Sequence, residues 1–314
     1  MTGDDLILCN GVRHALAIAF GALRKPGETI LTESLPYAGA VAISQAIGLE
    51  LEGLPMDREG VIPAGLESWL IEHRGQGRSH VLYVTPTSQN PTGSSMSRQR
   101  REAIVEISRA FDVMIVEDDA YAVLGETDIP TIRELAPERT IYVSGLSKTL
   151  TPGLRIGALV CPPSLKKQIL KAIAAIGSPV SALACLIMAR WIVSGTASYL
   201  SARVRVEAAR RATLAAEILN ISSPVPPASF HVFVPLKLEI ATNIAARALE
   251  LGVRVTKPSK ALNDSDNNAG LRLCLGSPTF EQLRQSIQTV QKLVAGDFQY
   301  ADLVPACGKQ APEK

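Results

Sequence analysis

From Leu6 to Cys161 the chain alternates short, apolar, β-rich runs with longer stretches in which apolar residues recur at helical spacing. A helix between two strands acts as a crossover, and crossovers set strands side by side in parallel with helices on both faces. The strand candidates are residues 6–9, 29–32, 50–54, 81–85, 113–117, 140–143 and 158–161, each bounded by Gly, Pro, Asp or a charged residue. Helix candidates fall between them at 12–23 after Asn10-Gly11, at 38–46 after Pro36-Tyr37, and at 97–111, where Ser97 is a natural cap. The pattern predicts an α/β fold, a three-layer sandwich around a mostly parallel central sheet.

A mainly helical stretch follows over 163–219, with breaks near Gly177-Ser178-Pro179 and Ser194-Gly195-Thr196. Arg203, Arg205, Arg210 and Arg211 along it are expected to form a solvated face. Residues 220–296 read as a smaller α+β unit: strand 231–236, helix 240–251, strands 253–256 and 271–275, helix 279–293. The expected division is a large domain at 1–205 that includes the interdomain helix, a small domain at 206–296, and an aperiodic, peripheral tail at 297–314. Pro224-Val225-Pro226-Pro227 is read as a local connection inside the small domain.

Composition narrows the class. With 46% hydrophobic residues in 314, there is material for two cores. Lys+Arg number 32 against Asp+Glu 30, a net charge of +2, which is too balanced for the footprint of a duplex-binding domain. The apolar runs at 15–23 and 182–189 fall short of the ~20 residues that span a bilayer, and no secretory signal is read at the start, so a soluble cytoplasmic protein is expected. Five cysteines (Cys9, Cys161, Cys185, Cys274, Cys307) contain no Cys-x-x-Cys pair and read as reduced, mostly buried thiols. The four histidines (His14, His73, His80, His231) lack metal-ligand spacing and read as structural or surface groups.

The chemistry concentrates in a few segments. In Ser144-Gly-Leu-Ser-Lys-Thr-Leu-Thr-Pro-Gly-Leu-Arg-Ile-Gly157 a lysine follows a serine just past a strand, with an arginine seven residues later. Lys148 offers an amine able to form a Schiff base with a carbonyl, and Ser144, Ser147 and Arg155 offer donors suited to a phosphate. An exposed loop lysine is the plain alternative. In Val113-Met-Ile-Val-Glu-Asp-Asp-Ala-Tyr121 an apolar run ends in three carboxylates and a tyrosine. At the carboxyl end of a parallel strand a carboxylate faces the crevice where open α/β sheets bind ligands, and Asp118 is the choice to pair with a pyridinium nitrogen. Tyr121 can hydrogen-bond a cofactor's phenolic oxygen, while Glu117 and Asp119 read as loop-start or supporting carboxylates.

Thr85-Pro-Thr-Ser-Gln-Asn-Pro-Thr-Gly93 forms a rigid turn that presents the Asn90 amide, or is simply a structural turn. Gly11 leads into the helix at Val12, and the free N–H groups of that helix start, with Arg13, make a phosphate site, although such junctions are common. Tyr37 can stack on a planar group or pack in the core. Arg272, alternating with apolar residues in Gly270-Leu-Arg-Leu-Cys-Leu-Gly276, suits a substrate carboxylate or an internal salt bridge.

In this order the segments resemble the fold-type I pyridoxal-phosphate enzymes of the class I/II aminotransferase family. Within it the resemblance is to aminoadipate-type aminotransferases and to the aminotransferase-like domain of GntR/MocR-type regulators. It runs from Leu6 to about Leu293. It implies pyridoxal 5'-phosphate as cofactor, Lys148 as the Schiff-base lysine and proton-shift base, and Asp118 at the pyridine nitrogen. It further implies Tyr121 and Asn90 at the phenolic oxygen and Tyr37 on the ring. Gly11, Val12, Arg13, Ser144, Ser147 and Arg155 are implied at the phosphate, with Arg272 and Asn90 at the substrate. The expected partners are an amino acid, a 2-oxo acid and a second copy of the chain in a homodimer. Two departures stand out. Relatives carry Gly-Ser where this chain has Ser144-Gly145, which shifts or loses one phosphate hydroxyl, and they carry an amino-terminal arm ahead of the phosphate-binding helix that is not read here. The other readings are a ligand-sensing domain of a MocR-type regulator without its DNA-binding head, and a lyase on the same cofactor.

Overall fold

The computed structural model describes residues 5–23, 29–74, 80–125, 128–176, 179–220, 228–262 and 269–297. Gly177-Ser178 of the first helical break, the turn cluster at 224–227, and residues 298–314 of the tail with Cys307 lie outside them. In the large unit β1 (Ile7–Cys9) leads into α1 (Val12–Leu23), β2 (Thr29–Glu33) into α2 (Ala38–Ala46), and β3 (Glu50–Leu54) into the hairpin of β4 (Met56–Asp57) and β5 (Gly60–Val61). Then come α3 (Pro63–Glu72), β6 (Val81–Val84), α4 (Arg98–Ala110), β7 (Met114–Asp118), the single turn α5 (Ile132–Leu135), β8 (Thr140–Gly145) and β9 (Gly157–Val160).

Seven of these strands form one sheet in the order β1-β9-β8-β7-β6-β2-β3. From β8 to β3 every neighbour is parallel, and only β9 runs against its two partners. Since β1 is antiparallel to β9, it points the same way as β8. The segments that follow β1, β2, β6, β7 and β8 therefore all emerge at one end of the sheet, where a ligand crevice forms. The sequence expectation of a mostly parallel α/β sandwich holds.

Strand periodicity separates two cores, one per face of the sheet. On one face Tyr83, Val116, Ile141 and Val143 pack under α1, whose Ala15, Leu16, Ile18, Ala19 and Phe20 are fully buried. On the other, Leu82, Val84 and Ile115 meet Leu66 and Leu70 of α3, Ile104 and Val105 of α4 and Ile132 of α5. At ~1.5–3 kcal/mol for each fully buried large aliphatic or aromatic side chain, these two layers supply most of the drive to fold. The α4 start is set as expected: Ser97 Oγ accepts the Arg100 N–H at 3.2 Å and donates to Glu59 Oε2 at 2.5 Å.

Beyond the sheet lie α6 (Lys166–Ile176), α7 (Ala182–Val193) and α8 (Thr196–Leu219), then β10 (His231–Pro235), α9 (Leu238–Glu250), β11 (Ser259–Lys260), β12 (Ala269–Cys274) and α10 (Phe280–Asp297). β10, β12 and β11 make a separate antiparallel sheet in that order. Helix α8 runs unbroken through residue 205. Among the described residues no single helix is long and apolar enough to cross a membrane.

Several details differ from the sequence reading. Residues 253–256 are not a strand; the third strand of the small sheet is the two-residue β11, because that is the segment that reaches the β12 ladder. α3 was not anticipated, although Pro63 at its first position is a helix-start signal. Arg211 is not part of a solvated face: it is half-buried, bonds Glu207 at 2.7 Å, and donates to the carbonyls of Leu275 at 2.7 Å and Pro278 at 2.8 Å. Of the four described cysteines, all free, Cys9 and Cys161 are buried, Cys185 is half-buried and Cys274 is exposed.

Candidate active site

Period-two alternation decides which of the three carboxylates at the end of β7 can serve the crevice. Val116 lies on the α1 face, and Asp118, two residues on, has the same orientation, whereas Glu117 turns to the opposite face. There Glu117 accepts the N–H groups of Ile132 at 3.0 Å and Arg133 at 2.8 Å and lies 3.9 Å from Arg101, so its role is to anchor α5. Asp119 accepts the Tyr142 hydroxyl at 3.0 Å. Asp118 is 2% exposed, with Oδ1 accepting the Ala120 N–H at 3.2 Å and Oδ2 the Tyr83 hydroxyl at 3.0 Å. Burial pushes its carboxyl up to about 7; the two hydrogen bonds pull against that and Asp119 adds to it. Among the described residues no basic side chain pairs with Asp118.

Lys148 sits in the turn after β8, at the same end of the sheet, with Nζ 5.8 Å from the centroid of the Tyr121 ring. Desolvation first, and the Arg272 charge second, lower its pKa below the usual lysine value, which favours the unprotonated amine that a Schiff base or a general base needs. Tyr121 is 5% exposed, and burial raises its phenol to about 12, so it carries its proton and can donate it in a hydrogen bond. Arg272 is half-buried on β12 and donates from Nη1 to Asn90 Oδ1 at 3.1 Å. That bond brings together residues 182 positions apart, from the small sheet and the turn after β6.

Beside the turn that follows β8, Gly11 takes φ +80, a left-handed turn that opens α1 at Val12. Arg155, itself left-handed at φ 54, lays its guanidinium against this turn; Nη2 donates to the Asn10 carbonyl at 3.3 Å, and a Cβ on Gly11 would stand 3.1 Å from it. No acidic residue lies in the first turn of α1, and Arg13 there is exposed. Gly145 explains the reversed Ser-Gly order: a Cβ at this position would lie 2.6 Å from Val12 Cγ2, so the valine methyl fills the space a side chain would need. Ser144 gives its hydroxyl proton to the Asp119 carbonyl at 3.1 Å and braces β8 against the end of β7, while Ser147 is half-buried in the following turn. Tyr37 stands among these groups. Burial raises its phenol, and the charges that act on it are Arg13, Asp118, Arg272 and Arg155.

The site also holds residues that sequence patterns did not single out. His231, 2% exposed, lies 5.7 Å from the Tyr121 ring, and its Nε2 lies 3.2 Å from the Gln89 carbonyl. Gln89 is fully buried; its side-chain N–H donates to the Leu35 carbonyl at 2.6 Å and its Oε1 accepts the Thr92 N–H at 2.9 Å, so it fixes the turn that carries Asn90. Tyr83 and Glu33 lie behind Asp118. Gln89 and His231 occur inside segments already noted for chemistry or strand pattern, but only the fold brings them against one another.

Among the described residues no group of three His, Cys, Asp or Glu could hold a metal ion. The donor set instead suits an anionic, planar group with a basic ring nitrogen. The start of α1 with the Arg155 guanidinium beside it is chemistry suited to a phosphate, the buried Asp118 carboxyl without a cation among the described residues is suited to a ring nitrogen, and the Lys148 amine of lowered pKa is suited to a carbonyl carbon.

Residues 2–290 match the family model of the class I and II aminotransferases, and the chain belongs to that family. Its cofactor is pyridoxal 5'-phosphate. The chain is 29% identical over 303 residues to the uncharacterised HTH-type transcriptional regulator YdfD of Bacillus subtilis, covering 91% of this chain and 60% of that protein. It is 33% identical over 175 residues to the mitochondrial kynurenine/alpha-aminoadipate aminotransferase of Rattus norvegicus, covering 52% of this chain and 41% of that protein. An archaeal alanine:glyoxylate aminotransferase superposes with a TM-score of 0.85 at 26% identity, covering 95% of this chain and 76% of that one. The match spans 60% of the length of the regulator and 41% of that of the rat aminotransferase.

Proposed function

We propose that this chain moves an amino group between an amino acid and a 2-oxo acid, using pyridoxal 5'-phosphate. The observation that carries the reading is the meeting of Lys148, Tyr121 and Arg272 at the sheet end that also holds buried Asp118. Lys148 would hold the cofactor's aldehyde carbon, Asp118 its ring nitrogen, Tyr121 and Asn90 its phenolic oxygen, and Tyr37 its ring face. Gly11, Val12, Arg13, Ser147 and Arg155 would hold its phosphate. When bound, the cofactor supplies an electron-withdrawing ring that stabilises negative charge at the substrate Cα.

The chain's own residues do the rest. Arg272 orients the substrate by its carboxylate, and Asn90, accepting from the same guanidinium, holds that arginine in place. Lys148 Nζ, unprotonated at neutral pH in a larger fraction than an ordinary lysine, takes the proton from Cα and returns it on the cofactor side. Burial pushes the Asp118 carboxyl up to about 7, and beside a protonated ring nitrogen its ionised form would be favoured and would act in a dry setting with little screening.

The 29% identity across 91% of this chain to an HTH-type regulator supports a second reading, a domain that binds the cofactor as a sensor without useful turnover. A panel of amino donors separates them. Multiple-turnover 2-oxo acid release with at least one donor is expected, and a change in cofactor absorbance without any product would support the sensor instead.

We place the protein in the cytoplasm as a homodimer. Its four described cysteines are free, which suits a reducing compartment. Along α7 and α8, Leu183, Leu186, Ile192, Val193, Tyr199 and Val206 are each more than 60% exposed, an apolar face of the kind that self-association covers. Sedimentation at micromolar concentration is expected to give twice the chain mass, and Leu186→Glu to give the single mass.

A further inference from the structure

β2, β6 and β7 lie side by side, and their ends put a second layer of polar groups behind Asp118. Tyr83, next to last in β6, is fully buried, its ring edge-on to Phe20 with centroids 5.5 Å apart and its hydroxyl 3.0 Å from Asp118 Oδ2. Glu33, the last residue of β2, is equally buried; Oε1 accepts the Thr85 N–H at 2.7 Å and Oε2 the Thr32 hydroxyl at 3.2 Å. Neither carboxyl is paired with a cation among the described residues, and two such groups in a dry sheet end compete for ionisation. Each Asp118 oxygen accepts one hydrogen bond, which leaves a lone pair on each for a further donor in the crevice.

We propose that Tyr83 is a positioning residue for Asp118: its hydroxyl aims the carboxyl group toward the crevice and keeps it ionised in competition with Glu33. The inference rests on the reading of Asp118 as the partner of the cofactor's ring nitrogen. The phenol serves this end well because burial holds it far above its ordinary titration range, so its proton stays available for donation. The ionisable groups that shift Asp118 are Tyr83 from β6 and Asp119 beside it, and its own charge is felt by Glu33 from β2, Tyr37 ahead of α2 and Tyr121 in the turn after β7. Of these, only Tyr83 donates a side-chain hydrogen bond to it.

The test is a carbon-13 carboxyl titration of the ligand-free full chain, with Asp118 assigned through Asp118→Asn. Tyr83→Phe keeps the ring and its packing, and is expected to raise the Asp118 midpoint by about one pH unit, the effect of one lost hydrogen bond to a charged group. Glu33→Gln, which removes the competing charge, is expected to move it the opposite way; this variant also decides the matter if Tyr83→Phe does not fold. An unchanged Asp118 midpoint in either folded variant overturns the proposal. Pyridoxal phosphate titrations by absorbance give a second readout: Tyr83→Phe should bind about fivefold more weakly at pH 7 and recover by about pH 9. Equal weakening at every pH would mean that Tyr83 acts only through packing and would overturn the proposal. A wild-type chain with no affinity for the cofactor would instead overturn the functional reading, with the carboxyl titration still deciding the role of Tyr83.

Discussion

Lys148→Ala is expected to lower multiple-turnover transamination by about 10⁴-fold or more, because one substitution removes both a covalent attachment point and the base at Cα. The fall should appear in kcat, with a smaller change in the binding of the amino acid, whose proposed carboxylate partner is Arg272. Borohydride treatment followed by peptide mapping checks the covalent part. Wild type should retain a reduced cofactor on the peptide containing Lys148, and the variant should not. A reduced adduct that persists undiminished in Lys148→Ala would mean that another lysine carries the chemistry. Melting temperature should stay near that of wild type, since Lys148 is the exposed residue in its otherwise half-buried turn and the turn is held by backbone hydrogen bonds from Leu146, Leu150 and Thr151.

Much of the frame behind this prediction was legible in the sequence, for local reasons. Gly11 marks a left-handed turn, so the start of α1 at Val12 falls where it was expected, and its end at Leu23 follows from the apolar period. Asp118 could be read from its place after the apolar run 113–117; the structure carries β7 one residue further to include it, and period-two alternation puts it on the face of Val116, with Glu117 on the other. What escaped depends on pairing between distant segments. The alternation at 253–256 has the look of a strand, but only Ser259 and Lys260 reach the ladder of β12. Tyr83 reads as one more apolar strand residue until β6 is set beside β7, and its contact with Asp118 spans 35 positions. His231 and Gln89 meet across 142 positions, a closure set by how the small sheet docks on the large one and by no local signal.

Arg101→Ala is expected to destabilise the chain by about 3–5 kcal/mol, although Arg101 touches neither the proposed cofactor nor the substrate. Its guanidinium is 5% exposed as a side chain and is surrounded by acceptors: the carbonyls of Met96 at 3.3 Å, Pro130 at 3.1 Å and Pro86 at 3.2 Å, and the Thr87 hydroxyl at 3.2 Å. It also lies 3.9 Å from Glu117, whose side chain is fully buried. Alanine would take one donor from each of four acceptors and leave the buried Glu117, which keeps only its two backbone donors, without its cation. Chemical denaturation monitored by far-UV circular dichroism measures the loss directly. Three of the acceptors belong to the turn on either side of Asn90, so the site should suffer as well. At temperatures where the variant is still folded, the Michaelis constant for the amino donor should rise as Asn90 and Arg272 lose their fixed spacing. Arg101→Lys should recover only part of the stability, since one ammonium group cannot reach acceptors placed on several sides of a planar fork. A variant with wild-type stability would mean that the turn is held by its own hydrogen bonds through Gln89 and Thr92.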